Sequence, residues 1–149
     1  MTEPSDRDRP HGPALPYGER YAWGYLTTAV AVPAVYAVIM LGRLGDAPAD
    51  QIDFQRPLLI AIAASIVANM FLAPGPRKGR DRRDERDRGI DRRGESAGFL
   101  TLAVAVLGAF ALTMFEAPYF WIANAIYFAF VLSAIVQSVV KVAAYRRGF

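Results

Sequence analysis

The side chains of this chain that could do chemistry crowd into one segment. Residues 77–95 hold nine basic and six acidic residues. Within them Arg83, Asp84, Glu85, Arg86 and Asp87 are consecutive, and Ile90 and Asp91 follow closely. Carboxylates and guanidiniums at this density offer charge-assisted hydrogen bonds to a protein partner or to lipid head groups. They do not compose a catalytic set. The chain has no Cys, and its single histidine, His11, lies in a Pro-rich charged stretch with no second ligand beside it. Asp46, Asp50 and Asp53 form a smaller acidic group without the ligand spacing that hard cations need. The expectation is therefore a non-enzyme with no catalytic, cofactor-binding or metal-binding residues.

Uncharged polar residues make a second pattern. Ala61, Ser65, Asn69 and Ala73 recur every four residues, as do Ala125, Ala129, Ser133, Gln137 and Lys141. Residues four apart share one helix face. Small residues there let helices approach, and polar ones bond across the contact. Asn69 and Gln137, with Ser65 and Ser133 in the same stripes, are expected to meet where the second and fourth apolar segments touch. Asn124 is expected to bond near the turn that precedes it.

The elements that must carry these residues are apolar throughout. Residues 21–42, 57–76, 96–115 and 117–140 contain no Asp, Glu, Lys or Arg. Each is close to the roughly 20 residues a helix needs to cross about 30 Å of hydrocarbon. A closed barrel is the other way to satisfy every backbone group in lipid, but barrel strands alternate and these runs do not. The fold class is all-α: a four-helix transmembrane bundle. Spans are expected at about 21–43, 57–75, 97–115 and 118–141, in one membrane domain 21–149. A disordered cytoplasmic tail 1–20 is expected before it, and a charged cytoplasmic loop 76–96 divides it. The first apolar run is about twice a usual signal-peptide h-region and lacks an A-x-A site after it, so it is expected to stay as a span.

Orientation follows from Lys and Arg near the span ends. Arg7, Arg9 and Arg20 precede the first span, nine basic residues occupy the middle loop, and Lys141, Arg146 and Arg147 follow the last. The first connection sets Arg43 and Arg56 against Asp46, Asp50 and Asp53, and the last has Glu116 alone. Both termini and the charged loop are thus expected in the cytoplasm. Of 17 basic residues 15 are arginine, a codon bias that points to a GC-rich bacterial source and hence to the cytoplasmic (inner) membrane.

The first and third spans match at a constant offset. Residues 24–32, GYLTTAVAV, read against 98–106, GFLTLAVAV, and Tyr36/Phe110, Ala37/Ala111 and Met40/Met114 continue the match. The chain therefore reads as two helical hairpins of like orientation, related by internal duplication. Pro33 faces Leu107 in this alignment and is expected to kink the first span, because it removes one helical hydrogen bond.

The charged loop pairs Asp84 with Arg88, Arg88 with Asp91 and Arg92 with Glu95 at helical spacings, each worth a few tenths of a kcal/mol. Gly89 and Gly94 oppose a helix by about 1 kcal/mol each. A marginal helix leading into the third span is expected, with Ile90 as its one large apolar side chain. Such a loop sets topology and contacts anionic head groups at about 1 kcal/mol per basic residue, or it docks a soluble partner with Ile90 as anchor. Nucleic acid is not an expected partner, since six interspersed acids repel phosphate.

Asp84-Glu85-Arg86-Asp87, then Ile90-Asp91, ahead of Gly94-Glu95 and a Gly-aromatic span start, resembles the D-E-R-D-x-x-I-D signature of a group of small bacterial four-span membrane proteins of unknown function. Some of that group are encoded beside small helix-turn-helix regulators, so the resemblance implies a regulatory protein partner. The sequence thus favours a non-enzymatic interaction protein working through its cytoplasmic loop. Membrane lipids, a cytoplasmic protein and further copies of itself are the expected partners. A small dimeric transporter or channel is the alternative.

Overall fold

A computed structural model describes residues 17–72 and 85–147 of the chain. Four α-helices account for nearly all of them: α1 (Tyr17–Asp46), α2 (Gln55–Leu72), α3 (Glu85–Met114) and α4 (Tyr119–Arg146). A single 3-10 turn, Ala49–Gln51, lies between α1 and α2. Among the described residues there is no strand. Helices α1, α3 and α4 are each long and apolar enough to cross a membrane, and α2 is shorter.

Helix α1 begins before its charge-free run, and α3 includes the helix expected to lead from the charged loop into the third span. Helix α1 starts at Tyr17 and α3 at Glu85, within the charged loop. Acidic residues in the first turn, Glu19 in α1 and Glu85 and Asp87 in α3, suit the positive end of the helix dipole. Helix α3 continues through Gly89 and Gly94; Gly94 is buried against α4, and Gly89 is exposed with nothing within 4 Å of a Cβ placed there. Helix α1 continues through Pro33.

The helices stand in the order α2, α1, α4, α3. Helix α4 packs most extensively on α3 and then on α1, and α2 packs on α1. The two hairpins are unequally packed, α3 with α4 more closely than α1 with α2. Their outward faces are apolar: Val35, Val38 and Leu41 on α1, Ile60 and Phe71 on α2, and Phe99, Leu107 and Phe110 on α3 are all well exposed. Glu19, Thr28, Asn124 and Ser138 are buried instead. A chain that turns apolar groups outward and polar ones inward is arranged for a hydrocarbon solvent, where inward polar groups find partners and outward ones would not.

The main apolar core lies at the end that carries the two helix-connecting turns. Tyr36 and Met40 of α1, Ile52 of the first turn, Ala61 of α2, and Phe120 and Tyr127 of α4 form one buried cluster. Phe54 meets Phe120 edge to face at 5.5 Å, and Tyr36 meets Tyr127 at 5.2 Å. The first turn thereby folds over the start of α4. Arg43, an exception to the charge asymmetry, donates to the Asp53 carbonyl at 2.6 Å and fastens that turn to α1.

The second turn is a tight helix C-cap. The Glu116 amide donates to the Thr113 carbonyl and the Ala117 amide to the Leu112 carbonyl, at 3.1 and 3.0 Å. This is the Schellman pattern, in which the residue after the helix adopts the left-handed conformation. Glu116 does so, with φ of 54°, at a position where glycine is usual. Pro118 then opens α4.

Candidate functional site

The end opposite these turns holds the charged residues. Along α3, Asp87, Asp91, Gly94 and Gly98 follow one another at three- or four-residue steps, which sets them on one face. Along α4, Ser133, Gln137, Lys141 and Tyr145 do the same. The two faces meet in antiparallel register. The Tyr145 hydroxyl donates to Asp87 Oδ1 at 2.9 Å. Lys141 Nζ and Asp91 Oδ1 lie 2.9 Å apart, with both side chains mostly shielded. The Ser133 hydroxyl donates to the Gly98 carbonyl at 2.7 Å.

The glycines make this register attainable. A Cβ on Gly94 would sit 2.6 Å from Lys141 Cγ and 3.1 Å from the Gln137 carbonyl oxygen. A Cβ on Gly98 would sit 3.1 Å from Gln137 Cβ and 3.3 Å from Ser133 Oγ. Both glycines are buried. Gly94-x-x-x-Gly98 thus works as a small-residue contact motif. Its packing gain offsets the propensity penalty of Gly94. The motif is visible in the sequence at the predicted start of the third span, where a search for close-approach stripes would find it.

The α1 side is locked separately. Glu19 is 5% exposed, and Arg146 Nε lies 3.7 Å from Glu19 Oε1. The Arg146 guanidinium also stands over the Trp23 ring at 5.4 Å from its centroid, a cation–π arrangement. Between α1, α3 and α4 a cavity of about 330 Å³ remains, with Tyr21, Tyr25, Asp87, Asp91, Glu95 and Lys141 in its wall. Two of its three carboxylates already serve the α3–α4 contact, through Tyr145 and Lys141. Among the described residues no three His, Cys, Asp or Glu are grouped to hold a metal ion. The arrangement joins helix to helix through these polar contacts.

The sequence-derived site residues divide accordingly. Ile90 is 2% exposed, so it packs inside the protein and is not the exposed anchor expected of it. Its position one turn from Asp87 and Gly94 puts it on the face turned to α4. Asp87 and Asp91 likewise point inward. Glu85 is exposed on the described part of the loop, as are Arg88, Arg92 and Glu95. Arg83, Asp84 and the side chain of Arg86 lie outside the described residues.

The intramembrane polar stripes also find other partners. Asn69 does not meet Gln137. Its Oδ1 lies 2.6 Å from the Thr28 hydroxyl of α1, while Gln137 packs against the glycines of α3. The Ser65 hydroxyl returns to the Ala61 carbonyl at 2.8 Å. The cause is helix order: α1 stands beside α2 and α3 beside α4, so each stripe meets its own hairpin mate. Asn124 does more than bond near its turn. Its Nδ2 donates to the Phe120 carbonyl, and its Oδ1 accepts from the Tyr36 hydroxyl, both at 2.8 Å. Tyr36 and Asn124 are 3% and 7% exposed, so Asn124→Leu strands a buried hydroxyl. An unmade buried bond costs about 1–3 kcal/mol. Asn124→Leu is expected to lower stability by that amount in reversible unfolding in mixed micelles, with Asn124→Leu/Tyr36→Phe recovering part of the loss.

Compared with family models, with curated proteins and with solved structures, the chain matches none.

Proposed function

We propose that this chain is a four-span protein of the cytoplasmic membrane, with both termini inside, that acts without catalysis by docking a cytoplasmic protein on the first turns of α3 and the charged segment before them. One observation carries this reading. Helix α3 continues as a helix from Ser96 back to Glu85, about 17 Å beyond the apolar run at 1.5 Å per residue. It is held there by Asp87, Ile90, Asp91 and Gly94 against α4. A segment that only sets topology needs its count of Lys and Arg, not a fixed face. Here one face is committed inward, and the other presents Glu85, Arg88, Arg92 and Glu95 in a constant order. Two arginines flanked by two glutamates in a fixed order suit a protein surface of matching pattern, and they discriminate against wrong partners. The bacterial source, the span count and the duplication of hairpins belong to the same reading. Helix α2, with 18 residues, reaches about 27 Å, enough for a span that tilts little.

The test is recovery of a crosslinked partner from native membranes. Glu85→Gln/Arg88→Gln/Arg92→Gln is expected to abolish recovery while the protein still inserts, because the other basic residues of the loop remain. Insertion is read from single cysteines at Ser5, Asp50 and Ser96. The cysteine at Asp50 should react from outside, and the other two should be protected. Unchanged recovery in the triple variant returns the loop to topology and lipid contact. Outside reaction at Ser5 or Ser96 overturns the orientation.

A further inference from the structure

The cavity of about 330 Å³ between α1, α3 and α4 holds charge that the helix contacts leave unbalanced. Its wall carries three carboxylates, Asp87, Asp91 and Glu95, against one cation, Lys141. Asp87 accepts from the Tyr145 hydroxyl, and Asp91 meets Lys141 through Oδ1. That ion pair leaves the second oxygen of Asp91 as an acceptor. Glu95 has no ion pair or hydrogen bond among the described residues. It stands just before the apolar run, where a carboxylate does little for orientation. Helix α1 supplies a wall of another kind. Tyr21 and Tyr25 line the same space, and their rings are stacked 13° from parallel with centroids 6.5 Å apart. Aromatic rings attract a cation through their negative faces, and they shield it from water on one side. Ring surface on one wall and surplus carboxylate on another form a surrounding for a positive charge.

The spacing selects an organic cation over a metal ion. Asp87, Asp91 and Glu95 climb α3 in four-residue steps of about 6 Å each. A hard cation needs six or more oxygens within about 2.6 Å of one point, and side chains strung along a helix in this way do not converge so. An ammonium group needs only one or two carboxylates and tolerates ring surface beside it. We propose that this cavity binds one organic ammonium group, carried by a lipid head group or by a free amine, its charge on Glu95 and Asp91 and its carbon substituents against Tyr21 and Tyr25. The level suits either source. Tyr21 opens one charge-free run and Glu95 precedes another, so on the orientation proposed above the cavity lies among the cytoplasmic head groups. The level rests on that orientation; the cavity and its lining do not.

The test couples the amine to the carboxylate it touches. A water-soluble carbodiimide activates a carboxyl group, and an amine held beside it displaces the urea and leaves an amide. The full chain in phosphatidylglycerol nanodiscs is treated with carbodiimide and ethanolamine. In a second arm phosphatidylethanolamine is mixed into the nanodiscs and no free amine is added. Peptide masses should show the adduct on Glu95 forming about tenfold faster than on Glu85, which is exposed on the same helix and lies outside the cavity wall. Tetramethylammonium chloride, which cannot form an amide, should suppress the Glu95 adduct and spare Glu85, and sodium chloride at equal concentration should not. Tyr25→Leu should slow the Glu95 adduct about two- to fivefold, the loss of one cation–π contact. The wild-type comparison requires no variant to fold. An adduct of lipid mass in the second arm identifies a head group as the source, and an adduct in the first arm alone identifies a free amine. Equal rates at Glu95 and Glu85, suppression by sodium chloride as strong as by tetramethylammonium, an unchanged rate in Tyr25→Leu, or no Glu95 adduct in either arm each overturns the proposal.

Discussion

Gly98→Leu is expected to force α3 off α4 and to destabilise the protein by about 1–3 kcal/mol, the usual range for overpacking a filled contact. The Cβ alone would come within 3.1 Å of Gln137 Cβ and 3.3 Å of the Ser133 carbonyl oxygen. The rest of a leucine has to enter the same space, so the helices must separate. Separation also removes the Ser133 hydroxyl from the Gly98 carbonyl, which adds to the loss. Gly108 is the control, because nothing lies within 4 Å of a Cβ placed there. Gly108→Leu should be neutral or mildly stabilising, since it exchanges glycine for a good helix former. Reversible unfolding of both variants in mixed micelles decides the matter. Equal stability of the two would show that α3 does not approach α4 through this face.

The same contact shows how far the sequence could be read. Charge-free runs announce apolar helices because hydrocarbon admits few other solutions, and the four helices stand where those runs are. Helix neighbours were less legible. A four-residue stripe says which residues share a face, not which helix that face meets. Asn69 and Gln137 carry similar signals and find different partners, Thr28 and the glycines of α3. Asn124 looked local because a turn lies close by, but its bond to Tyr36 joins residues far apart in the chain, and no spacing rule reaches across that distance. The loop misled for a different reason. Charge alternation suggests a solvated helix with one apolar anchor turned outward. Ile90 instead shares its face with Asp87, Asp91 and Gly94, and that face is taken by α4. Ile90, Gly94 and Gly98 stand at four-residue steps and so share one helix face. A reading by charge alone misses this.

Ile90→Ala is therefore expected to cost about 2–5 kcal/mol, the range for removing a buried branched side chain without collapse of the site. If Ile90 were an anchor for a partner, the same change would leave the isolated protein unaffected and weaken docking alone. Its 2% exposure and the inward bonds of Asp87 and Asp91 on either side favour the first outcome. The loss should be local before it is global, because sub-regions of a protein open independently. Hydrogen exchange should accelerate over the amides from Glu85 to Arg93, while the part of α3 beyond Gly98 keeps its protection. Lys141 supplies the internal check. Once α3 swings away, Lys141→Ala should cost little in the Ile90→Ala background, although it removes a shielded ion pair from the intact protein. Additive losses in the double variant would mean that Asp91 and Lys141 stay together without Ile90. The fixed outward face on which the docking proposal depends would then rest on the ion pair and the glycines alone.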